Sequence, residues 1–97
     1  MRGEAALRVG GAAFVLRPTF QALVAAEQEL GPLFALVERA ADGRLTLAEM
    51  VGLFWHCRHD APAAVTRQTL GEAVAAGGLA AATPALGVLL RQIVAGR

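Results

Sequence analysis

The feature that most constrains this 97-residue chain is a pair of adjacent glycines, Gly10 and Gly11, between two short apolar runs. Glycine adopts positive φ angles without steric cost, so a two-residue type I′ turn here joins two antiparallel strands. Counting outward from the turn fixes the register. It sets Val9 opposite Ala12, Leu7 opposite Phe14 and Ala5 opposite Leu16, with all six side chains on one face. We therefore predict a β-hairpin over residues 4–17.

The other face of this hairpin is more polar and ends in a pair of opposite charges, Glu4 and Arg17. Two strands alone are marginally stable in water and leave two open edges. We therefore expect the hairpin to lie on helices and to be able to extend a neighbour's sheet.

Three helix signals follow the hairpin. Thr19 is a predicted N-cap, and the helix after it carries one stripe that ends at Gly31, formed by Phe20, Leu23, Val24, Glu27 and Leu30. We expect the carboxylate of Glu27 to lie at the rim, where it reaches water or an arginine such as Arg8 or Arg17. Pro32 suits the first position of a second helix, with its inward residues being Leu33, Leu36, Val37 and Ala40. Thr46 and Glu49 form a capping box for the third, followed on one face by Leu47, Met50, Val51 and Phe54.

Two more start signals are found in the second half of the chain. Thr69 and Glu72 have the spacing of another capping box, and Gly77-Gly78 is expected to end that helix. Thr83 and Pro84 match an N-cap followed by a first-turn proline. The last helix then carries a stripe that ends at Gly96, formed by Leu86, Leu89, Leu90 and Ile93.

These elements predict an α+β fold in which an N-terminal β-hairpin packs on a bundle of four to six short α-helices. The length suits a single domain, residues 1–97, with its helical region over 19–95. Much of the 56% hydrophobic content is alanine, which adds little volume. We therefore expect the scarce large residues to build the core, namely Phe14, Phe20, Phe34, Phe54, Trp55 and scattered Leu and Val.

Charge and cysteine content exclude several function classes. Nine arginines face eight acidic residues, and they are spread along the chain without the cluster that nucleic-acid binding requires. A single cysteine fits a reducing compartment, and no apolar run is long enough to cross a membrane. We expect a protein of the bacterial cytoplasm with neither nucleic acid nor membrane as its partner.

Candidate chemistry is weak. Residues 38–49 resemble a calcium loop at Asp42, Gly43 and Glu49 but lack most of its oxygen ligands. His56, Cys57, His59 and Asp60 are metal-ligand types at a helix end, but ligands from one short helix end rarely complete a tetrahedral site, and the helix dipole explains histidines there without a metal. Cys57 and His56 are adjacent and point about 100° apart, which is wrong for a nucleophile and its base. We therefore predict no catalytic residue, metal, cofactor or small-molecule substrate.

The third helix is apolar on more than one side, because Leu53 and Trp55 point away from its main stripe. Such a helix is either central in the fold or covered by a partner. We take Leu7 and Phe14 of the hairpin, with Leu53 and Trp55, as candidate protein-interaction residues. A small helical regulatory or DNA-binding protein is the alternative, but its recognition helix over residues 46–58 offers Leu53 and Trp55 where Arg, Gln or Asn is needed.

A family resemblance spans nearly the whole chain. Its residues are Arg2-Gly3-Glu4, Leu7, Gly10-Gly11, Leu16-Arg17-Pro18-Thr19-Phe20, Ala22-Leu23, Glu27, Leu30-Gly31, Gly43-Arg44-Leu45-Thr46, Gly78-Leu79 and Leu89-Leu90. In these positions the sequence resembles the small tail proteins of gene transfer agents and related long-tailed phages, described as tail tube proteins or tail assembly chaperones. The resemblance implies a non-enzymatic protein that binds the tail tube or tape-measure protein during assembly and can enter a phage-like particle. Self-association into a homo-oligomer is a further expectation.

Overall fold

The computed structural model describes residues 5–9 and 12–96, which form a three-stranded antiparallel sheet and five helices. In chain order the elements are β1 (Ala5–Val9), β2 (Ala12–Leu16), α1 (Phe20–Leu30), α2 (Leu33–Ala41), α3 (Leu47–Cys57), β3 (Arg58–His59), α4 (Arg67–Gly77) and α5 (Leu79–Ala95). The α+β class and the N-terminal position of the hairpin are confirmed.

The hairpin has the predicted register, with Leu7 opposite Phe14 and Ala5 opposite Leu16. Ala5, Phe14 and Leu16 are buried and Leu7 packs against them at the edge of the core, so the expected apolar face is the inner one. The turn residues Gly10 and Gly11, the Glu4 end of the predicted charge pair, and the side chains of Val9 and Ala12 lie outside the described residues.

A third strand, which the sequence did not indicate, covers part of one hairpin edge. Arg58 pairs with Leu16 and His59 with Val15, and the amide of Arg17 donates to the carbonyl oxygen of Cys57 over 2.7 Å. The sheet order is β1-β2-β3. The expectation of two open edges is therefore wrong for β2, because the chain leaves α3 in an extended conformation and pairs immediately.

Helices α1 and α2 begin and end close to the predicted positions. The hydroxyl of Thr19 accepts a hydrogen bond from the amide of Ala22, and Gly31 ends α1 with φ +88°, a conformation that glycine tolerates best. Pro32 precedes the first residue of α2 and is its N-cap. Leu36 is fully buried, with Leu33 packed against the core, as the predicted α2 stripe requires.

Helix α3 is the central element of the fold. Thr46 and Glu49 form the predicted capping box. The buried residues of α3 are Met50, Val51, Gly52, Leu53, Phe54 and Cys57, whereas Leu47, expected inside, is exposed. Helices α1 and α4 pack on α3. Of the two explanations for a helix that is apolar on several sides, the central position is the one found.

The starts of α4 and α5 differ from the predictions. Thr66, not Thr69, caps α4: the Thr66 hydroxyl accepts from the amide of Thr69 (3.1 Å), and the Thr69 hydroxyl accepts from the amide of Thr66 (2.8 Å). Helix α5 begins at Leu79 and contains Pro84. Since Pro84 is only the sixth residue of the helix, the single bond that it removes is the one to the carbonyl of Ala80. Burial of Ala82 favours the longer helix.

Among the described residues no single helix is long and apolar enough to cross a membrane. Helices α4 and α5 together reach the required length, but they meet at a bend of 117°.

Candidate protein-interaction surface

Two of the four phenylalanines lie on the surface. Phe20 is 82% exposed and Phe34 is 85% exposed, so the expectation that both belong to the core is wrong. The core is filled by smaller side chains on the helices around α3, together with Phe54. On α1 the fully buried residue is Ala26, which brings the backbone of this helix close to α3. The face with Phe20 and Val24 therefore turns outward.

An apolar groove lies beside the exposed Phe34. One end, about 180 Å³ in volume, is lined by residues of α1, α2 and α5, namely Leu23, Glu27, Leu33, Phe34, Val37, Ile93 and Val94. The other end, about 390 Å³, lies between α2 and α5 and is lined by Val37, Ala40, Ala41, Gly87, Leu90, Arg91, Val94 and Ala95. Val37 and Val94 line both cavities, so the two adjoin at these residues; together they are called the α2/α5 groove below.

The sequence carried signals for this surface. Phe34 lies next to, and not on, the inward stripe of α2. Glu27 interrupts the α1 stripe that contains Phe20, and a carboxylate within an apolar stripe indicates a side that reaches water. In the structure Glu27 is exposed, and its Oε2 accepts a hydrogen bond from the amide of Leu33 over 3.1 Å. Of the stripe that was expected to face the core, Leu23 and Leu30 pack against it, and Leu23 and Glu27 line the groove.

The four residues predicted for protein interaction occupy different environments. Phe14 and Leu53 are buried in the isolated chain. Leu7 and Trp55 are partly exposed at the edge of the core. None of the four lines the α2/α5 groove. Contact with a partner protein at Leu7 or Trp55 stays a prediction.

Trp55 is covered by a side chain of its own molecule. The guanidinium carbon of Arg58 lies 3.4 Å from the ring centroid, and Nη1 of Arg58 donates to the carbonyl of Trp55 over 2.5 Å. A cation over an indole face is favourable by about 0.5–1 kcal/mol at an exposed site. The interaction holds the end of α3 against β3, which gives Trp55 a structural role.

His56 belongs to an ionic cluster that joins three helices. Arg67 of α4 makes a bidentate pair with the carboxylate of Glu29 on α1, and Nε2 of His56 on α3 lies 2.8 Å from Oε1 of Glu29. Hydrogen bonds from Arg67, and then from His56, lower the pKa of Glu29 to about 2. Since the carboxylate is ionised, the imidazole nitrogen donates. The contribution of Glu29 to stability is therefore complete above pH 4.5 and is lost as the pH falls towards 2.

Other residues with metal-ligand chemistry are dispersed. Cys57 is fully buried, and burial raises the pKa of its thiol to about 12, far from a reactive thiolate. Nε2 of His59 lies 3.2 Å from Nη1 of Arg17 and 3.3 Å from Oδ2 of Asp60. The carboxylate of Glu49 accepts hydrogen bonds from the amide of Thr46 and from the guanidinium of Arg39. Within the described part of the chain no three His, Cys, Asp or Glu residues converge on a metal-sized site.

Helix α3, which the DNA-binding alternative takes as its recognition helix, packs inside the fold and is not accessible to DNA. Leu53, Phe54 and Cys57 of α3 have no exposed surface, and α1 and α4 pack on this helix. A recognition helix must present one side to the major groove. The position of α3 is thus that of a core helix.

Comparison with known proteins gives one finding. A family model described as phage tail tube protein, GTA-gp10, matches residues 2–96. Neither the search of curated proteins nor the search of solved structures found a match.

Proposed function

Because the chain belongs to this phage tail tube protein family of the gene transfer agent type, we propose that it is a non-enzymatic tail assembly protein. It acts as an assembly chaperone or as a minor tail component, and it does so by binding the tail tube or tape-measure protein. The observation that carries this proposal is the exposed apolar surface on α1, α2 and α5, with Phe20 and Phe34 more than four-fifths exposed. Apolar patches of this kind mark contacts with other proteins.

The chemistry of the described residues supports a binding role over a catalytic one. Cys57 is buried with a raised pKa, and His56 is held by Glu29. The groove is lined almost wholly by aliphatic and aromatic side chains, whose exposed surface suits another protein. A protein of this kind works in the cell where tails are assembled and can be incorporated into a phage-like particle.

Deletion of the gene, followed by electron microscopy of the particles, tests the proposal. We expect heads without normal tails, and restoration of tails by the wild-type gene. The purified chain should also bind the tail tube or tape-measure protein encoded with it, measured by calorimetry with each purified partner. Normal tails in the deletion strain, together with no binding to either protein, would refute the proposed function.

A retardation assay with duplex DNA over a range of salt concentrations tests the DNA-binding alternative. We expect no retardation even at low salt, where phosphate contacts are strongest.

A further inference from the structure

The two ends of the α2/α5 groove differ in size and in charge. The end near the start of α2 projects bulky side chains, with Phe34 the most exposed, and carries the carboxylate of Glu27. The opposite end is lined by the small residues Ala40, Ala41 and Gly87 and carries the guanidinium of Arg91. One face of the molecule therefore presents both a projection with a negative charge and a recess with a positive charge.

A two-fold axis perpendicular to the groove relates it to the same groove of a second protomer, with the two ends exchanged. Placed at Val37 and Val94, where the two cavities meet, this axis sets the bulky, acidic end of one protomer over the small, basic end of the other. We propose that the α2/α5 groove is the interface of a symmetric homodimer. Phe34 of each protomer enters the recess of its partner, and Glu27 of each meets the partner's Arg91.

The dimensions agree with this arrangement. The depression between α2 and α5 is open to solvent and lined by the small residues Ala40, Ala41 and Gly87, so no bulky side chain of the same molecule blocks the approach of a Phe34 ring. Of the side chains that line the groove, Phe34 is 85% exposed and Val94 is 63% exposed, so these two offer most of the large apolar surface that a second protomer can cover. An interface of this size lies at or below the lower limit of about 1,000 Å² for a specific interface. The expected dissociation constant is accordingly micromolar, not nanomolar.

Sedimentation equilibrium of the full chain tests the proposal. At about 100 µM, well above a micromolar dissociation constant, we expect twice the 10.0 kDa mass of the monomer. Phe34→Asp should raise the dissociation constant by tenfold or more, roughly the effect of removing a hot-spot side chain. Because Phe34 is 85% exposed, this variant should keep the wild-type circular dichroism spectrum. Leu79→Asp is the matched control, since Leu79 is an exposed leucine outside the groove and its loss should leave the dimer intact.

Cysteine cross-linking locates the axis. The native Cys57 is fully buried, so an introduced thiol dominates the reaction. Val94→Cys lies next to the proposed axis and should form an intermolecular disulfide rapidly on mild oxidation, whereas Leu79→Cys, which is similarly exposed, should not.

Three outcomes overturn the proposal: a monomer at about 100 µM, a dissociation constant of Phe34→Asp equal to that of the wild type across a concentration series, or equal cross-linking at the two introduced cysteines. A monomer whose groove binds only a different protein also overturns it. The dimer does not depend on the proposed tail function. A monomer that still binds a tail protein would therefore remove the dimer and leave that function standing.

Discussion

Gly52 offers the sharpest test of how α1, α3 and α4 are held together. A Cβ at this position would lie 2.9 Å from Nη2 of Arg67 and 3.2 Å from Cδ2 of Leu30. The guanidinium is the flexible member, so in Gly52→Ala it must move, and its bidentate pair with Glu29 is then disturbed. The substitution thus combines a gain in helix propensity with the loss of an ionic contact.

The two effects are similar in size. Replacing an interior helix glycine by alanine stabilises by about 1 kcal/mol. Loss of a partly exposed ion pair costs up to about 1 kcal/mol, and the displaced Leu30 methyl adds to this. We therefore expect Gly52→Ala to be neutral or destabilising by about 0.5 kcal/mol. The pKa of Glu29 should also rise towards 4.5, because Arg67 is the largest cause of its depression.

Gly71 provides the matched control. It lies inside α4, which has the same length as α3, and its Cβ would meet Val51 only at an ordinary 3.7 Å. Gly71→Ala should therefore stabilise the protein by about 1 kcal/mol. For a chain of this size that corresponds to an increase in melting temperature of about 4–8 °C.

The assay is urea denaturation of both variants in the wild-type and Arg67→Ala backgrounds. In the Arg67→Ala background no guanidinium has to move, so Gly52→Ala should increase the free energy of unfolding through its better helix propensity. The effect of Gly52→Ala should therefore differ by about 1 kcal/mol between the two backgrounds. Gly71→Ala should give the same increment in both backgrounds. The proposed conflict between a Cβ at position 52 and Arg67 is refuted if Gly52→Ala stabilises both backgrounds equally.

Two further predictions concern stability. Lowering the pH from about 5 to about 2.5 should decrease the free energy of unfolding of the wild type by about 1 kcal/mol more than that of Glu29→Gln. The expected difference is this small because the Glu29 carboxylate is 38% exposed and solvent screens its interactions. Equal losses in urea titrations at the two pH values would contradict this role for Glu29. Leu53→Ala should destabilise the fold by about 2–5 kcal/mol, because the side chain is fully buried. Leu79→Ala, at an exposed leucine, should change the free energy of unfolding by less than about 0.5 kcal/mol. Thermal melts that show the same destabilisation for Leu53→Ala and Leu79→Ala would contradict the burial of Leu53.

Local chemistry made the hairpin and several helix boundaries predictable. The register follows from counting away from Gly10 and Gly11, so it requires no knowledge of the rest of the fold. The Thr46 cap and the glycine end of α1 are likewise decided by neighbouring residues. The short strand β3 was missed because two residues carry no periodic signal. It exists because the chain after Cys57 passes along β2.

The missed helix starts reflect competition between equally good local signals. Thr66 and Thr69 can both cap a helix, and the choice of Thr66 puts Arg67 into the helix beside Glu29. Thr83 and Pro84 fit a helix start, yet the helix extends back to Leu79 and buries Ala82. In both cases contacts with other elements decided between local alternatives, and such contacts are invisible in the sequence pattern.

The surface phenylalanines carry the most information about function. Burial of an exposed phenylalanine side chain is favourable by about 1.5–3 kcal/mol. Covering Phe20 and Phe34 by a partner can therefore contribute about 3–6 kcal/mol that the isolated chain does not gain. The core does not need them, because alanine on α1 and glycine on α3 let these helices approach closely. In the proposed dimer Phe34 and Val94 of both protomers are buried at the groove, and at about 1.5–3 kcal/mol for each side chain about 6–12 kcal/mol is available against the cost of association. That range is compatible with a micromolar dissociation constant and not with a nanomolar one, which is why mass measurements near 100 µM, and not at nanomolar dilution, discriminate between a dimer and a monomer.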